Sequence, residues 1–392
     1  MSERKITLVE KLRGRKNDGR SVFYNNKWVF DHKFRLNNHP QNQLLFEEIS
    51  YTQSTINPLS SVLVIGTSCG RLNLLKTSRF ENPNISARVN ISPTEEGNIC
   101  VLNLEWIGDY FHSLANLYYH RWDPVALCHN RRIDLSRFSS TCGPFMDSTV
   151  NADGNLCLLA GYPGIFALDF RSRKDLHDLS GGFNFPRKIN CVQFSRSGAH
   201  YGITHVNPSC CLSVYDMRKS SEPLHTLKIE DKLKGSYPNS IFWGPSDDFI
   251  SFTALCEYAG RPSWARLRLQ DRFSSQTPVV FFYRKNEEKA ELECFDSITL
   301  DNWGKDSLGP FAQKVQLLGK KYFGLAGSRS TQIFRLSDRT LYQDLKQGKH
   351  TDRICGIEYI EGDRSLITYD DLGDIFRWKK TIESVADLTS YS

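Results

Sequence analysis

From about residue 45 onward the chain repeats one arrangement of hydrophobic and polar positions. An apolar run is followed by a polar turn, a second apolar run, a turn rich in Gly or Asp, and a third run of alternating character. Runs this short, bounded by turn residues, read as β-strands. Strands at this density predict an all-β sandwich, barrel or propeller. A recurrence of roughly 40 to 50 residues selects the propeller, whose unit is a four-stranded blade.

The last unit is the clearest. Ile354 to Tyr359 forms a strand, Glu361-Gly362-Asp363 a turn, and Ser365 to Thr368 a second strand; Asp370, Asp371 and Gly373 then turn into Ile375-Phe376-Arg377-Trp378. Earlier units keep the same phase. Asp153, Ser197 and Asp247 mark equivalent turns, 44 and 50 positions apart, and Asp169 and Asp216 mark equivalent strand ends, 47 apart. Units opening at Val62, in 99–130, at Leu156, at Ile189, at Ile241 and in 315–345 bring the total to seven. The expected organisation is a basic, partly disordered arm over 1–34, a propeller over 35–384 and a tail over 385–392. The charged stretch 285–306 reads as an insertion between the fifth and sixth blades.

On these residues the last unit resembles the WD-repeat family. His350 opens it, Asp371 lies in the turn before the third strand and Trp378 closes that strand. The resemblance implies a hydrogen-bonded network of His350, Asp371 and Trp378 inside the blade. Lys379 departs from it, since the family has Asp after the Trp. The fold expected is therefore all-β: a seven-bladed WD-repeat β-propeller with a basic N-terminal extension.

Composition adds three points. The 24 Phe, 16 Tyr and 7 Trp suit pleated strands better than helical bundles. The 11 cysteines are scattered without any Cys-x-x-Cys pair, so neither a zinc site nor a disulfide framework is indicated, and cysteines inside apolar runs read as small hydrophobes in a reducing compartment. The start, Met1 to Arg20, is charged throughout and does not read as a secretory signal, and no run reaches the roughly 18 apolar residues of a membrane span. A nuclear or cytoplasmic location is expected. The net charge of +6 is too diffuse to imply nucleic acid. It is concentrated at the start, however, where Lys11, Arg13, Arg15, Lys16 and Arg20 read either as a solvated tail or as an arm for nucleic acid or an acidic partner.

Candidate chemistry is sparse. Gly66-Thr67-Ser68-Cys69-Gly70 matches a nucleophile elbow, but that device needs a helix after the turn, and Arg71 to Leu75 alternates like a strand. Cys210-Cys211 reads as packing, because neighbours in a strand point to opposite faces. His200 and His205 have no further ligands in sight. No phosphate loop, carboxylate pair or dinucleotide fingerprint stands in the right context. No cofactor and no catalytic role are expected.

One pair stands out. Asp169-Phe170-Arg171 and Asp216-Met217-Arg218 end the third strands of consecutive units, each with Arg two residues after Asp. They resemble the double Asp-x-Arg box of WD-repeat substrate receptors of cullin-RING ubiquitin ligases of the cullin-4 type. The resemblance implies that Arg171 and Arg218 contact the ligase adaptor while a client protein is held elsewhere. The departure is Leu168 and Tyr215 where that family has Trp. Alternatively, Asp169 and Asp216 only cap their turns, and the chain is a scaffold subunit of a chromatin, RNA-processing or nuclear-pore assembly. On either reading it is a non-catalytic protein-interaction scaffold.

Overall fold

A computed structural model describes residues 28–36, 51–57, 62–77, 85–91, 100–115, 117–136, 144–162, 164–172, 176–179, 189–205, 211–219, 222–228, 237–257, 276–286, 291–300, 315–327, 330–345, 354–362, 364–370 and 372–380. Among them, strands form seven four-stranded antiparallel sheets, and each sheet is a blade of a β-propeller.

Blade 1 holds β2 (Tyr51–Ile56), β3 (Val62–Thr67), β4 (Arg71–Lys76) and β5 (Ile85–Asn90). Blade 2 holds β6 (Val101–Ile107), β7 (Tyr110–Ala115), β8 (Tyr118–Asp123) and β9 (Cys128–Asp134). Blade 3 holds β10 (Phe145–Val150), β11 (Leu156–Gly161), β12 (Gly164–Asp169) and β13 (His177–Asp178). Blade 4 holds β14 (Ile189–Phe194), β15 (His200–His205), β16 (Cys211–Asp216) and β17 (His225–Lys228). Blade 5 is β18 (Tyr237–Trp243), β19 (Ile250–Glu257), β20 (Gln276–Asn286) and β21 (Glu291–Thr299). Blade 6 is β22 (Gln316–Leu318), β23 (Tyr322–Ala326), β24 (Thr331–Arg335) and β25 (Leu341–Asp344). Blade 7 has β26 (Ile354–Ile360), β27 (Ser365–Asp370) and β28 (Asp374–Lys380) from the end of the chain, and takes its outermost strand, β1 (Trp28–Arg35), from the start.

The middle strands are buried on both faces, which is why they read as near-continuous apolar runs. Leu63, Val64, Ile65, Leu158 and Leu159 are all fully buried. The core is not one mass but seven seams. Val64, Leu72 and Leu74 of blade 1 pack on Val101, Trp106 and Phe111 of blade 2. Corresponding clusters join blades 2 and 3, 3 and 4, 4 and 5, 5 and 6, and 6 and 7. The ring closes where Ile360, Ile367 and Ile375 of blade 7 meet Ile56, Leu63 and Leu75 of blade 1.

Two expected boundaries are corrected. β1 pairs with β28 along its length, from Trp28↔Lys380 to Arg35↔Asp374, so residues 28–34 belong to blade 7 and not to the expected arm over 1–34. Its Lys and Arg residues disguised an edge strand, where charge is normal because one side has no neighbour. The stretch 285–306 is not simply the expected insertion between blades. It contains β21, which pairs with β20 from Val279↔Thr299 to Asn286↔Glu291. An outer strand is solvated, as at the exposed Glu293, Ser297 and Thr299, so it lacks the apolar signature of the strands inside it. Lys11, Arg13, Arg15, Lys16 and Arg20, and the tail 385–392, lie outside the described residues.

Candidate docking rim

Blades 1 to 6 connect their first strand to their second, and their third to their fourth, on the same side of the disc. In blade 3, Leu156 at the start of β11 pairs with Asp169 at the end of β12, and in blade 4 His200 pairs with Asp216. The two Asp-x-Arg boxes therefore occupy equivalent places on one rim, in neighbouring blades. Backbone bonds tie each pair of turns together in the same way: Phe170 N to Asn155 O at 2.8 Å and Met217 N to Ala199 O at 3.0 Å.

The Asp of each box builds the turn. Asp169 Oδ1 accepts the Arg171 amide at 2.9 Å, and Asp216 Oδ1 accepts the Arg218 amide at 2.7 Å. This is the local side chain to backbone bond for which Asp is favoured in turns. The Arg residues differ. Arg218 is exposed, with its backbone alone bound to Asp216. Arg171 folds back on its own box, donating Nε to Asp169 Oδ1 at 3.0 Å and Nη2 to Oδ2 at 2.8 Å, yet its side chain stays 70% exposed. The Arg171 hydrogen bonds pull the Asp169 carboxyl down to about 2. The guanidinium of Arg131, in the outer strand of blade 2, donates to Asp169 O at 3.3 Å and Ser172 O at 2.9 Å, fixing the turn from the neighbouring blade.

A third member of the series, not expected from the sequence, stands in blade 2. Asp123 ends β8 and caps its own turn, accepting Val125 N at 2.8 Å and Ala126 N at 3.0 Å. Asp123, Asp169 and Asp216 lie 46 and 47 positions apart, a phase that was available in the sequence and was hidden because Pro124-Val125 replaces x-Arg. Trp122 precedes Asp123, so blade 2 ends its third strand in a Trp-Asp dipeptide. Trp122 donates Nε1 to the buried Ser113 Oγ at 2.8 Å, and Trp378 does the same to Thr368 Oγ1 at 3.0 Å. These Trp–hydroxyl staples join the second and third strands of a blade. Of the expected network His350, Asp371 and Trp378, only Trp378 is among the described residues.

A second set of bonds runs between blades. Asp247, at a left-handed φ of 57°, accepts Arg196 N at 2.8 Å and Ser197 N at 2.9 Å, tying the turns of blades 4 and 5. Around the channel, inner strands staple their successors: Glu105 accepts Val150 N at 2.8 Å, Asp147 accepts Val192 N at 3.1 Å, and Thr149 accepts Phe194 N at 3.4 Å. Ser54 donates to Glu358 across the blade 7–blade 1 seam. A cavity of about 340 Å³ lies among these inner strands, and Glu105 and Glu358, the carboxylates lining it, already serve the staples. Among the described residues no three His, Cys, Asp or Glu are grouped to hold a metal. Gly66 and Thr67 end β3, and Ser68 to Gly70 form the hairpin turn into β4, with Gly70 at φ 75° and a strand, not a helix, after it.

No family model and no curated protein matches this chain. What the geometry itself gives is a closed seven-bladed propeller with a rim of repeated Asp-capped turns. It is the fold of a protein-interaction scaffold.

Proposed function

We propose that this chain is a WD-repeat scaffold that acts, in the nucleus or cytoplasm, as a substrate receptor of a cullin-RING ubiquitin ligase, docking its adaptor through Arg171 and Arg218. The observation that carries this reading is the equivalence of the two boxes. Both stand at the same strand end in adjacent blades, each Asp accepts the amide of its own turn, and each Arg is exposed on the same rim, Arg171 while also paired with Asp169. A planar guanidinium there can make several charge-assisted bonds to an acidic or carbonyl-rich partner.

Two further features favour the WD-repeat type. The Trp-Asp dipeptide of blade 2 is a signature of such blades. The positions before each box, where the receptor family carries Trp, are filled by buried Leu168 and by Tyr215, which stacks on Tyr201 at 5.1 Å. Packing is thus kept with other side chains. The client would be held away from the docking rim.

The test is affinity purification of the wild type beside Arg171→Ala/Arg218→Ala, with co-purified proteins identified by mass spectrometry. Recovery of a cullin and its adaptor by the wild type, and their loss from the folded double variant, is the expected result. Absence of ligase components from both preparations would sink the reading.

A further inference from the structure

The series of exposed cations on the docking rim does not end at blade 4. In blades 3 and 4 the Asp of the box pairs with the first residue of the second strand, Leu156 or His200. The same place in blade 5 is held by Tyr283, which pairs with Ile250, the first residue of β19. Two residues further on, the step from Asp to Arg in each box, stands Lys285. Arg171, Arg218 and Lys285 are thus cations at one register position in successive blades, and all are exposed. The motif is hidden in blade 5 because Tyr283 stands where the boxes have Asp.

Blade 5 also departs from the boxes in its backbone. No Asp-capped turn follows Tyr283; the β20–β21 ladder runs on past the rim through Arg284↔Glu293, Lys285↔Leu292 and Asn286↔Glu291. At the ordinary rise of a strand, Lys285 stands about 7 Å beyond Tyr283. Packing fixes which way each face of this hairpin looks. Phe281, Tyr283 and Leu292 join the cluster that holds Leu212, Val214 and Leu227 of blade 4. Leu292 is the register partner of Lys285, so both lie on the face turned to blade 4, the blade of Arg218. Arg284 lies on the opposite face with Phe282, which packs on blade 6, and its guanidinium is 5.5 Å from the Phe295 ring. From the blade 6 turn, Arg339 pairs with Asp296 at 3.3 Å and lies 4.5 Å from the same ring. The hairpin is therefore braced from both sides before any partner arrives, which lowers the ordering cost of binding.

Among the described residues no carboxylate pairs with Arg218 or Lys285. Of the exposed acids on this rim, Asp153 acts on Arg171, while Glu222 and Asp248 pair with neither of the other two cations. We propose that Lys285 is a third cationic contact for the adaptor that docks on Arg171 and Arg218, and that it receives a carboxylate on the surface of that partner. The inference rests on the receptor reading given above and extends its surface from two blades to three. A Lys ammonium on its long stem acts there as a point charge, whereas the Arg forks are directional.

The experiment is biolayer interferometry between the full-length protein and a purified adaptor of the cullin-4 type, with each variant shown to be folded by circular dichroism. Lys285→Glu sets like charge against the partner's carboxylate and should weaken binding about tenfold or more. Lys285→Arg keeps the charge and should bind like the wild type. Arg284→Glu makes the same change of charge one residue away on the opposite face and should stay within about twofold of the wild type. Wild-type affinity in Lys285→Glu, an equal loss in Arg284→Glu, or an equal loss in Lys285→Arg would overturn the third contact. The receptor reading survives any of these results as long as Arg171→Ala/Arg218→Ala still loses the adaptor. A wild type that binds no adaptor overturns both.

Discussion

Single residues in this molecule are spent on turns and staples more than on chemistry. The Trp122–Ser113 bond lies in a fully buried setting, so removing the hydroxyl leaves an indole N–H without a partner. Ser113→Ala should therefore cost about 1–3 kcal/mol in equilibrium unfolding by urea. The same change in a Trp122→Phe background should cost much less, a coupling that a double-mutant cycle measures. Asp169 allows a test by titration. Its folded pKa of about 2 lies below the ordinary 3.8, so its ionised form favours the folded state. That contribution is complete above about pH 4 and fades as the pH falls toward 2. Arg171→Ala should return the Asp169 carboxyl toward its ordinary value, as followed by carboxyl-carbon NMR. An unchanged value would mean that the turn amide alone holds it down.

At the level of strands, glycine shows how tightly the blades are built. A Cβ on Gly161, the last residue of β11, would meet Phe145 Cα and Pro144 O at 2.5 Å, backbone atoms that cannot move aside cheaply. Gly161→Ala should destabilise by about 1–3 kcal/mol or more. Gly362 has open space around it, so Gly362→Ala should stay within about 0.5 kcal/mol by the same unfolding assay. The strands also show where sequence reasoning holds and where it fails. Inner and middle strands were legible because burial on both faces writes apolar runs such as Val62 to Ile65, and because turns at Asp153, Ser197 and Asp247 keep phase. Outer strands were not, since solvent on their free side permits charge. That is how β21, with Glu291 and Glu293, passed for a loop. The blade-to-blade staples were illegible too: Glu105 and Val150 meet across 45 positions, and nothing local to either residue announces the other.

For the whole molecule the decisive feature is closure by β1, whose partner strand lies at the other end of the chain. No local pattern could have shown that pairing, although Trp28 was recognisable as apolar. Trp28 is 3% exposed, and its backbone exchanges two bonds of 2.8 Å with the Gln343 side chain of blade 6. Its ring packs edge-on against Tyr322 at 5.4 Å, with the Lys380 ammonium 5.1 Å from it. The strand is thus locked to two blades at once. Trp28→Ala should cost about 3–5 kcal/mol in denaturant unfolding, and truncation before residue 36 should expose β28 as a free edge and promote aggregation, visible by light scattering. A truncated chain that stays monomeric with wild-type stability would contradict this account of closure.

The tandem Asp-x-Arg boxes were visible in the sequence, while their third relative Asp123 kept the same phase but was masked by Pro124-Val125 in place of x-Arg. The docking role given to that rim is tested most directly by biolayer interferometry between purified full-length protein and a purified adaptor of the cullin-4 type. Saturable wild-type binding that weakens about tenfold or more in the folded Arg171→Ala/Arg218→Ala variant is the predicted result. Binding that is absent from the wild type, or equal in both proteins, would contradict it.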